Sequence, residues 1–315
     1  MELITDLDEI KVPYRNAVVT IGNFDGVHKG HQAILHQVIE KADAIKGTSV
    51  AFTFEPHPMK VLSRTGAPPL ITMYEQKVEL MGQTGIDVLV CTPFTQSFAA
   101  VSARSFVEDI LIHTIGMKAI VIGKDYKFGK NRQGSVDLLR DYAKIYPIEV
   151  IVADWIPMSQ QHPDRISSTR VREIVMEGRV EDAWHLLGRY YQIRGEVVTG
   201  RQRGGPMLGF PTANIKLVDE LCPKMGVYAV TVQWREKFFQ GVANIGYAPT
   251  FDDHLFTVEV HLFDFHDDIY GKTIRVNFIK RIRDEKKFGD INELSEQISR
   301  DIENAKTIFA GSYGS

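Results

Sequence analysis

The sequence predicts an α/β half followed by a small antiparallel β half, and two observations carry that prediction. Over about the first 150 residues, short apolar strands alternate with amphipathic helical stretches, the signature of βαβ units and a parallel sheet. From Gln192 onward the apolar period falls to two, with turn residues between the runs, as in a small antiparallel barrel or sandwich. The change of period near residue 187 divides the chain of 315 residues into domains at 1–187 and 188–310, with 311–315 as a frayed tail.

The elements follow in order. Ala17–Ile21 (AVVTI) is an apolar strand that stops at Gly22. From His31 to Ile45, Ile34, Leu35, Val38, Ile39, Ala42 and Ile45 share one helical face. Ser49–Phe54 is the next strand. Thr72-x-x-Glu75 has the spacing of a capping box opening a helix through Met81. Asp87–Cys91 is a strand, Ser102 caps a helix to about Ile115, Lys118–Gly123 is a strand, Ser135 caps Val136–Tyr146, and Glu149–Val152 is a strand. Helical pieces at Thr169–Glu177 and Val180–Leu187 lead into the β half. There the strands are Ile193–Val198, Val227–Trp234, Phe238–Ala243, Phe256–Phe263 and Thr273–Ile279, with Asn244, Gly246 and Pro249 read as a turn. Asp290-x-x-Glu293 opens a final helix whose apolar face is Ile291, Leu294, Ile298, Ile302, Ala305 and Phe309.

Composition excludes several classes. With 37 Lys plus Arg against 40 Asp plus Glu, the net charge of −3 speaks against a polyanion-coating protein. Cys91 and Cys222 stand far apart, which excludes a disulfide scaffold and a cysteine-rich zinc site. The acidic start MELITDLDEIKVPYR is no signal peptide, and no run of about 18 apolar residues exists for a membrane span. A cytoplasmic protein, with no membrane and no nucleic-acid partner, is the expectation. The basic stretch Lys272, Arg275, Lys280, Arg281, Arg283, Lys286 and Lys287 is interrupted by Asp284 and Glu285 and reads as a solvated face.

Two segments carry chemistry. Ile21–Gln32 (IGNFDGVHKGHQ) follows a strand and opens a helix. Gly22, Gly26 and Gly30 let backbone approach a ligand, with Phe24 and Asp25 between them, while His28 and His31 sit where free N–H groups and the helix dipole favour an anion. It matches neither G-x-x-x-x-G-K-[ST] nor G-x-G-x-x-G. Downstream, Ile166–Arg172 (ISSTRVR) offers Ser167, Ser168, Thr169 and Arg170, which by themselves read first as an ordinary capped helix with solvated arginines and only second as a polyphosphate site. In the β half, GRQRGG (Gly200–Gly205) precedes LGFPTANI (Leu208–Ile215). Gly204 and Gly209 could present N–H groups to phosphate, and Thr212 and Asn214 offer two oxygens that suit Mg²⁺, or else cap a turn. In VEVHLFDF, Glu259 and His261 share a face. Glu259 is either an exposed strand residue or a general base for a hydroxyl nucleophile.

The H-x-G-H turn with the SSTR segment resembles the HxGH nucleotidyltransferases. LGFPTANI, GVANIGYAPTF, VEVHLFDF and YGKTIRVNFIKRIRDEKKF resemble riboflavin kinase. TFEPHP (Thr53–Pro58), IGKDYKFGKNRQG (Ile122–Gly134) and LLGRYYQIRGEVV (Leu186–Val198) complete an ordered set over about residues 17–306 that is similar to the bifunctional riboflavin kinase/FMN adenylyltransferase family. The resemblance implies a Rossmann-like nucleotidyltransferase domain and a riboflavin kinase-like barrel. It implies ATP as co-substrate, Mg²⁺, and riboflavin, FMN and FAD as substrates and products. His28 and His31 would stabilise charge at the α-phosphate of ATP, Thr212 and Asn214 would hold Mg²⁺, Glu259 would orient or deprotonate the ribityl hydroxyl, and Phe54, Tyr126 or Phe128 would stack on a ring. A different HxGH adenylyltransferase would lack the PTAN barrel, and a non-catalytic flavin sensor would be expected to have lost His28, His31, Asn214 or Glu259.

Overall fold

The computed structural model describes residues 1–63, 66–157, 165–198, 210–248 and 255–312, in two compact units, Met1–Ser168 and Thr169–Ser315. The first unit is built on six parallel strands: β1 (Glu2–Ile4), β2 (Ala17–Ile21), β3 (Ser49–Glu55), β4 (Val88–Pro93), β5 (Met117–Gly123) and β6 (Glu149–Ala153), ordered β1-β4-β3-β2-β5-β6. The middle strands are almost wholly buried, with AVVTI of β2 covered on both faces, as a parallel sheet flanked by helices requires. One face packs Phe52, Phe54, Phe106 and Phe128. The other packs Leu35, Val38 and Ala42 of α1 (Lys29–Ala44) and Met81 of α3 (Tyr74–Gln83). Strand order reverses between β2 and β5, and in open α/β sheets ligands bind beyond the strand carboxyl ends at such a reversal. The turn that leaves β2 is the H-x-G-H segment.

Several expectations change. β1 and two short helices, α2 (Pro58–Leu62) and α4 (Gln96–Ala99), have too few residues to show a period. The Thr72–Glu75 box does not form. α3 begins after Met73 without a side-chain cap, because the Thr72 hydroxyl accepts from the Gly26 N–H at 3.0 Å and serves a buried loop instead. Ser102 does cap α5 (Ala103–Ser105), accepting from Ser105 N at 3.0 Å, but the helix then widens to π geometry over Phe106–Thr114. α6 (Val136–Ala143), capped by Ser135, is shorter than expected.

The second unit holds α7 (Ser168–Met176, its first residue the last of the first unit), α8 (Val180–Leu187) and a closed six-stranded barrel. Its strands are β7 (Tyr191–Val198), β8 (Ala213–Lys216), β9 (Gly226–Trp234), β10 (Lys237–Ala248), β11 (Leu255–Leu262) and β12 (Thr273–Arg283), ordered β10-β11-β8-β7-β12-β9. Alternation fills the interior with Ile193, Ile215, Val230, Ile245, Val258, Val260 and Val276, each at most 4% exposed. The expected turn at Asn244 and Gly246 is instead strand. Ala243 and Ile245 point inward, and Gly246 leaves space that the Glu285 carboxylate occupies on the outside. Pro249 lies outside the described residues, as do Gly204 and Gly209.

The C-terminal helix (Ile291–Ser312) runs past residue 311. Asp290 Oδ1 accepts from Asn292 N and Glu293 N, but the Glu293 carboxylate turns to Gly289 N. Only the second half of the expected apolar face is core. Ala305 and Phe309 are buried with Ala229, Val242 and Ile279, whereas Ile291 is exposed. The basic stretch is not simply solvated, since Arg283 makes three bonds of 2.7–3.0 Å to the buried Asp301.

Candidate functional sites

In the first unit, His28 is the N-cap of α1. Its Nδ1 accepts from His31 N at 3.2 Å, so in the neutral ring the proton sits on Nε2 and that nitrogen is the ring's donor. The His31 ring stacks on it at 3.6 Å and 16°, with Phe24 against its edge at 5.3 Å. Burial first, and the adjoining His28 second, hold His31 well below the ordinary histidine range, so it rests neutral. Its Nδ1 is buried and, among the described residues, has no hydrogen-bond partner. A helix N-terminus and a buried ring nitrogen with no hydrogen-bond partner among the described residues meet at this turn, an arrangement suited to phosphate oxygens.

The loop is held rather than slack. Gly26 needs its left-handed φ of 87°, and Phe24 and Val27 also take positive φ, a strained choice for a β-branched residue. Asp25 is 3% exposed and accepts from Ile71 N and Thr72 N, so its carboxylate braces the loop, while its carbonyl accepts from the Ser168 hydroxyl at 2.8 Å. Gly22 and Gly30 make room for protein as well as ligand: a Cβ would meet the Phe24 ring at 3.1 Å and the His28 ring at 3.2 Å. Thr169 is exposed and Arg170 pairs with Glu173 at 3.0 Å. The sequence reading gave no role to His57. It is 8% exposed, its Nδ1 accepts from Met59 N, and its Nε2 lies 3.2 Å from the Asn23 amide. Only the histidine in TFEPHP signalled it. Phe54, Phe128 and Tyr126 belong to one aromatic cluster on that side of the sheet.

The barrel brings three polar residues into one row. Asn214 of β8 pairs with Glu259 of β11, which pairs with Asn244 of β10. Cross-strand partners share a face with Cβ atoms about 5 Å apart. Their chain neighbours Ala213, Ile215, Val258, Val260, Ala243 and Ile245 all point inward, so the row lies outside the barrel. Partial burial alone pushes the Glu259 carboxyl upward, toward the range of a base. Thr212 lies just ahead of β8, two residues before Asn214. His261 fixes that approach, its Nδ1–H donating to the Pro211 carbonyl at 2.9 Å and its ring lying edge-on to Phe210. Asn244 was missed because ANIGYA was read as a turn, although its alternation was the signal.

The two units match two family models, "FAD synthetase" over residues 11–170 and "Riboflavin kinase" over residues 187–309. Proteins named bifunctional riboflavin kinase/FMN adenylyltransferase are 37% identical in Buchnera aphidicola of Schizaphis graminum, covering 98% of this chain and 99% of theirs. They are 36% identical in Escherichia coli K12, covering 98% of both. In Listeria monocytogenes the identity is 37%, covering 94% and 93%. A solved structure titled a macrolide-efflux protein from Streptococcus pneumoniae superposes with a TM-score of 0.85 at 32% identity, over 96% of this chain and 98% of that one. No helix among the described residues is long and apolar enough to cross a membrane. On identity, coverage and the order of both segments, this chain belongs to the bifunctional riboflavin kinase/FMN adenylyltransferase family.

Proposed function

We propose that the chain makes FAD from riboflavin in two ATP-dependent steps, one in each segment: adenylyl transfer in residues 1–187 and phosphorylation in 188–310. The observation that carries this reading is the coexistence of the stacked histidine pair at the α1 N-terminus with the Asn214–Glu259–Asn244 row on a separate barrel.

In the barrel, Glu259 accepts the proton of the ribityl 5′-hydroxyl, which attacks the γ-phosphorus of ATP and gives FMN and ADP. Asn244 and Asn214 flank the carboxylate and orient it. Thr212 and Asn214 supply neutral oxygens that fit Mg²⁺ carried in on ATP. Among the described residues no group of three or more His, Cys, Asp or Glu could hold a resident metal. The ion, when bound, offsets charge on the transferred phosphoryl group.

In the first unit, an FMN phosphate oxygen attacks the α-phosphorus of a second ATP, and pyrophosphate leaves. His28 Nε2–H and the α1 N–H groups bind the phosphates. The neutral His31 becomes a better donor as phosphate charge approaches. Catalysis is positioning and electrostatics, with no covalent intermediate. Gly22, Phe24, Asp25, Gly26 and Gly30 shape the loop. Ser167, Ser168, Thr169 and Arg170 serve the nucleotide, and Gly204 and Gly209 are assigned to the kinase phosphates. A cytoplasmic location accords with ATP and free flavin as substrates.

The test is to incubate the protein with riboflavin, ATP and Mg²⁺ and, in parallel, with FMN, ATP and Mg²⁺, resolving the flavins by chromatography. FMN appearing before FAD is the expected result. FMN without FAD in both reactions would leave only the kinase.

A further inference from the structure

Thr92 sits at the carboxyl end of β4, opposite Phe54 in the β3–β4 register. By alternation it shares a face with Val88 and Val90, which pack among Phe52, Phe54 and Phe106. It is 6% exposed, and its hydroxyl oxygen is buried with no hydrogen-bond partner among the described residues. A valine would fill the same volume without leaving a polar atom unsatisfied, so the hydroxyl is a standing cost to the folded chain. Around it Phe54 lies 5.4 Å from Phe94 and 5.7 Å from Phe98, ring centre to ring centre, in edge and tilted contacts. Phe94 and Phe98 are half-buried, and Phe98 rides on the one-turn α4, so the cluster reaches the surface beyond the carboxyl ends of β3 and β4. A planar heteroaromatic ring entering there gains ring contacts from the phenylalanines and brings the ring nitrogen or carbonyl that Thr92 lacks.

We propose that Thr92 is a specificity-determining residue of the adenylyltransferase unit, its hydroxyl kept for a heteroatom of the flavin ring of FMN. This rests on the adenylyltransferase reading above. The adenine of ATP is the competing occupant, and the test separates the two.

Thr92→Val and Thr92→Ser are compared with wild type for FAD formation, with FMN and ATP varied separately, and for thermal unfolding without ligand. Thr92→Val is expected to raise KM for FMN roughly fivefold, the loss of one hydrogen bond. The KM for ATP and the phosphorylation of riboflavin stay unchanged, and the ligand-free midpoint rises by about 1–3 °C. Thr92→Ser restores the KM for FMN. A hydroxyl with a merely structural role would instead lower the ligand-free midpoint and leave KM alone. An increase confined to the KM for ATP, or an unchanged KM for FMN in a wild type that makes FAD, overturns the inference alone. A wild type that makes no FAD from FMN overturns the adenylyltransferase reading and this inference with it.

Discussion

At the residue scale, burial shifts two ionisable side chains, His31 downward and Glu259 upward, beside the N-cap His28. His28→Ala removes the N-cap acceptor and the ring's Nε2–H donor together. FAD formation should fall at least 100-fold, as for other charge-stabilising donors, while FMN formation continues; unaltered FAD synthesis would sink the assignment. Glu259→Gln should do the reverse, blocking FMN formation while added FMN still yields FAD. Because burial raises the Glu259 carboxyl above 4.5, kinase activity should fall on the acid side at a higher pH than an ordinary glutamate would give, as a pH profile of kcat/KM would read. His31 acts through stability as well. Its folded value lies well below 6.5, so between that value and 6.5 the unfolded chain binds more protons. Its contribution is complete above about pH 6.5 and shrinks as pH falls toward the folded value. Urea unfolding at pH 7.5 and 5.5 checks this: His31→Gln should narrow the difference between the two midpoints.

At the element scale, the C-terminal helix is joined to the barrel by a buried ion pair and an apolar seam. Asp301 accepts three bonds from Arg283 and one from Gln297, while Ala305 and Phe309 cover β9, β10 and β12. Asp301→Ala leaves Arg283 without its partner. Because the guanidinium keeps 22% exposure, the cost should be near the low end for a broken buried pair, about 3 kcal/mol, read from denaturant unfolding of the barrel. The β2–α1 turn shows the same economy in the first unit. Asp25 spends its carboxylate on Ile71 and Thr72, and the Thr72 hydroxyl goes to Gly26, so the two loops hold each other at the proposed phosphate site. That is why the Thr72–Glu75 box failed: a buried N–H needed the hydroxyl more than a solvated helix end did.

At the scale of the whole molecule, the two chemistries occupy separate units and should be separable. A mixture of the His28→Ala and Glu259→Ala proteins, given riboflavin, ATP and Mg²⁺, should make FAD, because one variant releases FMN that the other adenylylates. Chromatography showing FMN accumulation with no FAD would mean that the Glu259→Ala protein does not adenylylate free FMN and that the two activities are not separable.

The sequence by itself determined the class of both units, most strands, the two histidines and the chemistry of the family, because each of these is written in short-range pattern: period, turn residues and motif spacing. It did not determine that Glu259 stands between Asn214 and Asn244, since strand register is a long-range pairing that local alternation leaves open. Nor could it show that Asp25 and Thr72 brace a loop 46 residues away, that Asp301 is a buried anchor, or that the Thr92 hydroxyl has no partner among the described residues. Those facts concern which polar groups meet once water is excluded, and only tertiary packing decides where water is excluded.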